Sequence, residues 1–399
     1  MRYKYITDPI YGEIVFEEKE YWLYELTQTK EFMRLKSIKQ LGECSKVFHS
    51  ANNERFTHSI GVFYICKQFL NHLQPKISQS DIDAILASAL LHDIGHGPRS
   101  HSFEMYTNHN HEKMTKKIIL DTNSEINKIL TKNKINIELI IKILNKSKDI
   151  PSFYYQIISS QTDADRLDYL VRDSHFIGTN NGTIDVGLVI KWSMINEDKF
   201  VFLEKATNLL ESILIARFQM FLQIYLNKKI ICYERIMIKI FMRIKDLYAQ
   251  KFEFKDKNNL LYLLRPFLEN KEYDLQTFQD FDDNNFNILI KSLKYENDSI
   301  LQALITAYEN NHFFECTNNK NKIPKVLDLT KYKKYFYDKF LVEKSIYDHK
   351  QPIQIYNNKT KKNENVLKYW KLISNMHNYC YSEKVYFLPK KAIKKIIKK

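Results

Sequence analysis

Glycine and proline are scarce, at eight of each in 399 residues. Turn-rich all-β architectures need many of both, so long helices are expected instead. Cysteine is scarcer still. The five, Cys44, Cys66, Cys232, Cys316 and Cys380, are scattered without a CxxC pair. That argues against a disulfide framework and a zinc ribbon, and for idle or buried thiols in a reducing cytosol, hence a cytoplasmic protein. No stretch approaches the ~20 apolar residues of a membrane span. Residues Met1 to Pro9 lack the apolar core of a secretory signal, so no membrane association is expected. Hydrophobic residues make up 44% and charged residues 27%. A chain of this length and composition escapes wholesale disorder and can bury a sizeable core.

Arginine is missing altogether from the last fifth. Lys320 to Lys399 holds 21 Lys and 6 acidic residues, a balance of +15, which leaves 40 basic and 41 acidic residues, or −1, for residues 1–319. The net charge of +14 therefore belongs to the C-terminal end, which closes on a lysine run from Lys390 to Lys399. Lysines are point charges without the bidentate fork of arginine. Such a segment suits sequence-blind contact with a polyanion such as single-stranded nucleic acid, and equally suits a solvated tail.

The expected elements follow from pattern. Residues 1–20 look extended, with a turn at Tyr11-Gly12. A helix is expected over Glu25–Leu41, stopped by Gly42, and a second over Arg55–Leu73, apolar on most faces and hence buried. Ser80-Asp81-Ile82-Asp83 resembles a capping box opening a helix that runs through Leu91 into His92-Asp93. Further helices are expected over His111–Leu130, Ile137–Leu144 and Phe153–Phe176. Strands Val189–Met194 and Lys199–Leu203 would form a hairpin around Asn196-Glu197-Asp198. Long helices over Ala206–Asn227 and Ile230–Lys251 come next. Beyond 252 the pattern loosens. The chain thus divides into a mainly α core, 1–251, with a small β-hairpin, and a mixed α+β region, 252–399, bearing the basic tail.

Histidine is concentrated between residues 58 and 111, at His58, His92, His96, His101, His109 and His111. His92-Asp93 closes one helix, His58 lies on an earlier one and Asp165 on a later one. Two imidazoles and two carboxylates suit a six-coordinate divalent ion such as Mn, Fe, Co or Ni, and suit four-coordinate structural zinc less. In the block from Asp163 to Asp173, helical spacing puts Asp165, Tyr169, Arg172 and Asp173 on one side, with Leu167, Leu170 and Val171 on the other. A charged surface face would give the same pattern. His92 and His96 have the spacing of a metalloprotease HExxH, but Asp93 stands in for Glu and Gly95 weakens the helix.

Four stretches, in order, resemble the deoxynucleoside triphosphate triphosphohydrolase branch of the HD-domain phosphohydrolases. Asp8-Pro9-Ile10-Tyr11-Gly12-Glu13-Ile14 resembles its DPIHGxI opening, and the segment Phe32 to Gly42 its FQRLRxIKQLG. Arg55-Phe56-Thr57-His58-Ser59-Ile60-Gly61-Val62 resembles RFEHSLGV, and Leu91 to His101 resembles LCHDLGHGPFSH. The block Asp163 to Asp173 resembles the later DxDxxDYxxRD. The resemblance covers about residues 1–250.

It implies an HD-domain helical core and metal ligands His58, His92, Asp93 and Asp165, the ion being Mn, Fe, Co, Ni, Mg or Zn. It implies that Arg55 contacts phosphate and that His96, His101 and His111 line the phosphates. His101 would be the acid for the leaving 5′ oxygen, oriented by Glu104. Gln40 and Leu41 would sit against the deoxyribose, and Tyr169 and Asp173 would hold the sugar, with Leu41 and Tyr169 leaving little room for a 2′-hydroxyl. Tyr225, Asn227 and Lys228 fall where the family has YxHK, which implies that Tyr225 and Lys228 bind substrate. The implied reaction converts a dNTP to deoxynucleoside and inorganic triphosphate, in a homo-oligomer, dimer or tetramer. A phosphodiesterase or nuclease using the same ion is the alternative. Some positions depart from the pattern. Tyr11 replaces a His, and Arg99 replaces a Phe and would add a cation near the pocket. Gln28, Met33 and Lys36 replace residues of the family's regulatory guanine-nucleotide site, so activation by a bound nucleotide is not carried over.

Overall fold

The computed structural model describes residues 3–310, 313–322, 332–371 and 376–390. The chain opens on a hairpin. Strand β1 (Lys4–Asp8) pairs antiparallel with β2 (Gly12–Phe16). Asp8 Oδ1 accepts from the N–H groups of Ile10 and Tyr11 at 2.8 and 3.1 Å, which fixes the expected turn.

The helix expected over Glu25–Leu41 is divided into α1 (Tyr21–Thr27), α2 (Lys30–Met33) and a 3-10 turn at Arg34–Ser37. The cause is Thr29, whose hydroxyl accepts from Phe32 N–H at 3.3 Å and starts a new helix. The chain is then extended at Lys39, which bridges Glu54. Helix α3 (Arg55–Leu73) has the expected bounds. Helix α4 (Gln79–Leu91) starts earlier than expected, because Ser78 and not Ser80 is its cap.

Next come α5 (His101–Thr107), α6 (His111–Leu120), α7 (Glu125–Lys132) and α8 (Ile137–Leu144). Ser124 caps α7 and divides the helix expected over His111–Leu130. The one expected over Phe153–Phe176 is likewise divided, into α9 (Phe153–Gln156) and α10 (Ala164–Ile177). Here the Asp163 carboxylate caps α10, accepting from Arg166 N–H at 2.6 Å. The strand expected over Val189–Met194 is half helix, as α11 (Val186–Lys191) precedes β3 (Ser193–Asn196), which pairs with β4 (Lys199–Leu203).

Helix α12 (Thr207–Met220) continues into a π-helical turn at Phe221–Tyr225 and is followed by α13 (Lys228–Ala249). Asn227 caps α13 through its side-chain oxygen. Four helices come after it: α14 (Arg265–Leu268), α15 (Leu275–Asp280), α16 (Asp283–Ser292) and α17 (Ser299–Glu309). Then come β5 (Phe314–Thr317), α18 (Lys333–Phe336), β6 (Asp338–Ser345), β7 (Gln354–Asn357), β8 (Lys362–Asn365) and β9 (Cys380–Pro389).

The fold is mainly α, with small sheets ordered β3-β4-β7-β8 and β5-β9-β6 besides the opening hairpin. Residues on the two sides of the expected boundary at 251/252 share one apolar core, and β4 pairs in parallel with β7, Phe202 against Ile355. Among the described residues no single helix is long and apolar enough to cross a membrane. Most of the expected polyanion-binding lysine run, residues 391–399, lies outside the described residues.

The contact that matters most for the site is α3 against α10. Gly61 of α3 faces α10 closely, so that an added Cβ would stand 1.9 Å from Asp168 Oδ1. Only glycine allows this spacing, and it brings His58 on α3 within reach of the carboxylates of α10.

Candidate active site

His58, Asp93 and Asp165 converge from α3, the end of α4 and the start of α10. His58 Nε2 lies 3.1 Å from Asp165 Oδ1 and 3.5 Å from Asp93 Oδ2, and His92 Nε2 lies 3.4 Å from Asp93 Oδ2. One donor atom each from His58, His92 and Asp93 falls within a 4.8 Å cluster. The outer ring nitrogens are both fixed. Nδ1 of His58 donates to Asp168 Oδ2 at 2.7 Å, and Nδ1 of His92 donates to the Ala89 carbonyl at 2.8 Å. Each Nε2 is therefore left facing inward, and both are buried without a hydrogen-bond partner.

Two lone pairs aimed at two carboxylates form a set that a divalent cation satisfies. Electrostatics agree. Burial disfavours a charged imidazole, yet the neighbouring carboxylates of Asp165 and Asp168 push His58 up to about 10. Burial would raise Asp93, but the Arg55 guanidinium, in contact with it, holds its carboxyl well below the usual range.

A second cluster of nitrogens adjoins the first. One ring atom each of His96, His101 and His111 lies within 4.8 Å of the others, and His96 stacks on His111 with centroids 3.9 Å apart. Glu104 bridges two of them, accepting from His101 Nδ1 at 3.0 Å and from His111 Nδ1 at 2.8 Å. Burial opposes its ionisation, but these bonds hold the Glu104 carboxyl well below the usual range. Burial, reinforced by Arg55 and His111, pushes His96 well down and keeps it neutral.

Two cavities, of about 200 and about 390 Å³, adjoin here and share Gln40, Arg55, His101 and Tyr169 in their walls. The larger also takes in Leu41, Asp173 and Tyr225. Asp173 accepts from Tyr225 Oη at 2.7 Å and from Asn53 Nδ2 at 3.0 Å, and burial pushes it up to about 6. Gln40 presents a buried, unpartnered Oε1 to this space.

Three expectations are not met. Lys228 is absent from both cavity walls, because its ammonium pairs with Glu383 of β9 at 3.1 Å. Arg172 turns away from Asp165 and Tyr169 into the core, where it pairs with Asp168 and Asp8, each at 2.8 Å. His96, expected to line the phosphates, is fully buried behind His111 and absent from both walls, whereas Arg99 borders the larger cavity as expected, its guanidinium held by Asn287 with Glu43 and Asp283 alongside. Asp168, Asn53, Arg166 and Arg217 had no role assigned from the sequence. Asp168 lies three residues after Asp165 in a motif already singled out, so that spacing was a usable signal. Arg217 had none.

A family model described as "HD domain" matches residues 55–173, the span that contains His58, His92, Asp93 and Asp165. A Mycoplasma pneumoniae protein described as an uncharacterized MG461 homolog is 36% identical over 369 residues, covering 85% of this chain and 86% of its own. The crystal structure of a Bacteroides thetaiotaomicron phosphohydrolase superposes with a TM-score of 0.82 at 28% identity, covering 98% of this chain and all of that one.

The chain belongs to the HD-domain phosphohydrolases.

Bovine deoxynucleoside triphosphate triphosphohydrolase SAMHD1 is 30% identical over 232 residues, which is 49% of this HD phosphohydrolase and 39% of the bovine enzyme. The similarity to that enzyme is thus confined to part of each chain.

Proposed function

We propose that this HD phosphohydrolase hydrolyses deoxynucleoside triphosphates to deoxynucleoside and inorganic triphosphate. The observation that carries the reading is that the two cavities adjoin, with Gln40, Arg55, His101 and Tyr169 in the walls of both. His92, Asp93 and Asp165 of the candidate cation centre line the smaller together with His101 and His111, and the hydrogen-bonded pair Asp173 and Tyr225 lines the larger. The partial similarity to the bovine enzyme supports the same substrate class.

His58, His92, Asp93 and Asp165 would hold the divalent ion, which when bound supplies charge neutralisation at the α-phosphate and a more acidic water. The chain's own residues do the rest. Arg55 and His111, on the cavity wall, would face the phosphates as fixed donors, with His96 stacked against His111, and preorganised donors need no reorganisation as charge develops. The bond between the α-phosphorus and O5′ breaks while water oxygen bonds to that phosphorus. His101, held by Glu104, delivers a proton to O5′. Leu41 and Tyr169 pack where a 2′-hydroxyl would project.

Incubating the protein with the four dNTPs and four NTPs across several divalent metals tests the reading. Release of inorganic triphosphate from dNTPs is expected. Nucleoside monophosphates released from a single-stranded oligonucleotide, with dNTPs untouched, would replace it with a nuclease assignment.

A further inference from the structure

Strand β6 alternates along its length. Lys339, Leu341, Glu343 and Ser345 are exposed, whereas Asp338, Phe340, Val342 and Lys344 turn inward. A lysine on the inward row of a strand is costly unless an anion meets it. Lys344 meets none. Its Nζ lies over the Phe221 ring, 3.4 Å from the centroid, and it belongs to the wall of the larger cavity together with Arg166 and Arg217.

Those arginines are short of partners as well. Arg217 Nε and Nη1 and Arg166 Nη1 are buried without a hydrogen bond, and the carboxylate paired with Arg166 is Asp163, at 3.7 Å. Three cations from α10, α12 and β6 therefore surround one space. Tyr169, which lines both cavities, links that space to the cation centre.

We propose that Lys344, brought in by the C-terminal region, is a phosphate ligand of the pocket and binds the terminal phosphates of a polyphosphate substrate. This rests on the nucleoside triphosphate reading above. It means the HD core alone does not complete the pocket.

The groups facing Lys344 are Arg217, Arg166, the Phe221 ring and, just beyond β6, Asp348, while Tyr381 lies opposite on β9. Burial and the two arginines push Lys344 down to about 7, with Asp348 pulling weakly the other way. A polyphosphate arriving among these groups restores the charged form, so binding above neutral pH takes a proton from the buffer onto Nζ.

Isothermal titration of the metal-loaded full chain with inorganic tripolyphosphate at pH 7.5, in two buffers of different ionisation enthalpy, tests this. Wild type should bind with proton uptake. Lys344→Met should lose about tenfold or more in affinity together with that uptake. Lys344→Arg should keep the affinity and lose the uptake, which carries the test even if the methionine variant folds poorly. Deoxynucleoside affinity should be unchanged in both variants. Wild-type affinity and uptake in Lys344→Met would overturn the proposal and leave the substrate class standing. Failure of wild type to bind tripolyphosphate would overturn the polyphosphate reading itself.

Discussion

Replacing Asp168 with asparagine removes one charge at nearly constant volume, and the contacts of that carboxylate determine the outcome. It is fully buried and accepts from His58 Nδ1 at 2.7 Å and from Arg172 Nε and Nη2 at 2.9 and 2.8 Å. An asparagine has one acceptor oxygen. If it serves Arg172, its NH₂ faces His58, Nδ1 must give up its proton, and Nε2 becomes the protonated nitrogen that can no longer coordinate. If it serves His58, the NH₂ is set against the guanidinium. Loss of such an outer partner typically lowers metal affinity by about 10–100-fold, or roughly 1.4–2.7 kcal/mol. Global stability should fall by about 2–3 kcal/mol, less than for an abandoned buried charge, because Arg172 keeps Asp8. Chelator-competition titration gives the first quantity and thermal unfolding of the metal-free protein the second. Asp8→Asn is the control, since it weakens Arg172 without touching His58 and should lower stability while leaving metal affinity near wild type. Two results would refute the reasoning: metal affinity in Asp168→Asn within about twofold of wild type, or equal losses in both variants.

The double change His92→Ala with Asp93→Ala should abolish stoichiometric metal, and elemental analysis of the purified protein checks it. Leu41 and Tyr169 should make dATP turn over at least about 100-fold faster than ATP, because a steric clash in a packed pocket costs a few kcal/mol; equal rates would remove the sugar assignment. Gly61→Ala should destabilise by several kcal/mol in thermal unfolding, since the new methyl meets the buried pair of Asp168 and Arg172. Asp173, raised by burial from 3.8 to about 6, should cost stability when it ionises, by about 3 kcal/mol. A raised carboxyl contributes stability below its unfolded value and loses it as pH rises through 6. Asp173→Asn should therefore raise the melting temperature at pH 7.5, the gain should vanish near pH 4, and turnover should fall at every pH.

The parts of this molecule that could be read from sequence are those where chemistry is local. His92-Asp93 sits at the stop of an apolar helix, His58 follows Arg55 at a helix start, and Asp165 opens α10, so the centre could be listed before its geometry was known. Helix lengths were less legible, because threonine, serine and aspartate inside a periodic stretch compete for backbone N–H groups. Thr29, Ser124 and Asp163 each begin a new helix where periodicity alone runs on. Side-chain direction was least legible. Arg172 shares a helical side with Asp165 and Tyr169 by spacing, yet its long stem reaches Asp8, 164 residues earlier. Lys228 is likewise claimed by Glu383, 155 residues later. Such partners are invisible to any local pattern.

The region without a recognisable motif also sets the shape of the pocket. Asp283 on α16 is buried, and its carboxylate accepts from the backbone N–H of Lys39 at 3.1 Å and of Arg99 at 2.6 Å. Those two bonds tie together the segment bearing Gln40 and the loop bearing His101, which is already held in an unusual conformation, with φ of +62° at Arg99 and +56° at Ser100. Arg34 adds a second tie, donating to the carbonyls of His96 and Phe281 at 2.8 and 2.6 Å. Tyr308 adds a third, donating to Glu43 at 2.8 Å. A displacement of about 1 Å between a positioning wall and a reacting group can cost about 100-fold in rate, so these ties are matters of chemistry as well as stability. A buried aspartate such as Asp283 is tolerated because two N–H groups and a nearby guanidinium compensate it, and that compensation arises only when both halves of the chain are folded together. The histidine cluster therefore depends for its geometry on residues nearly two hundred positions downstream, which is why the motif alone names the centre without fixing the pocket around it.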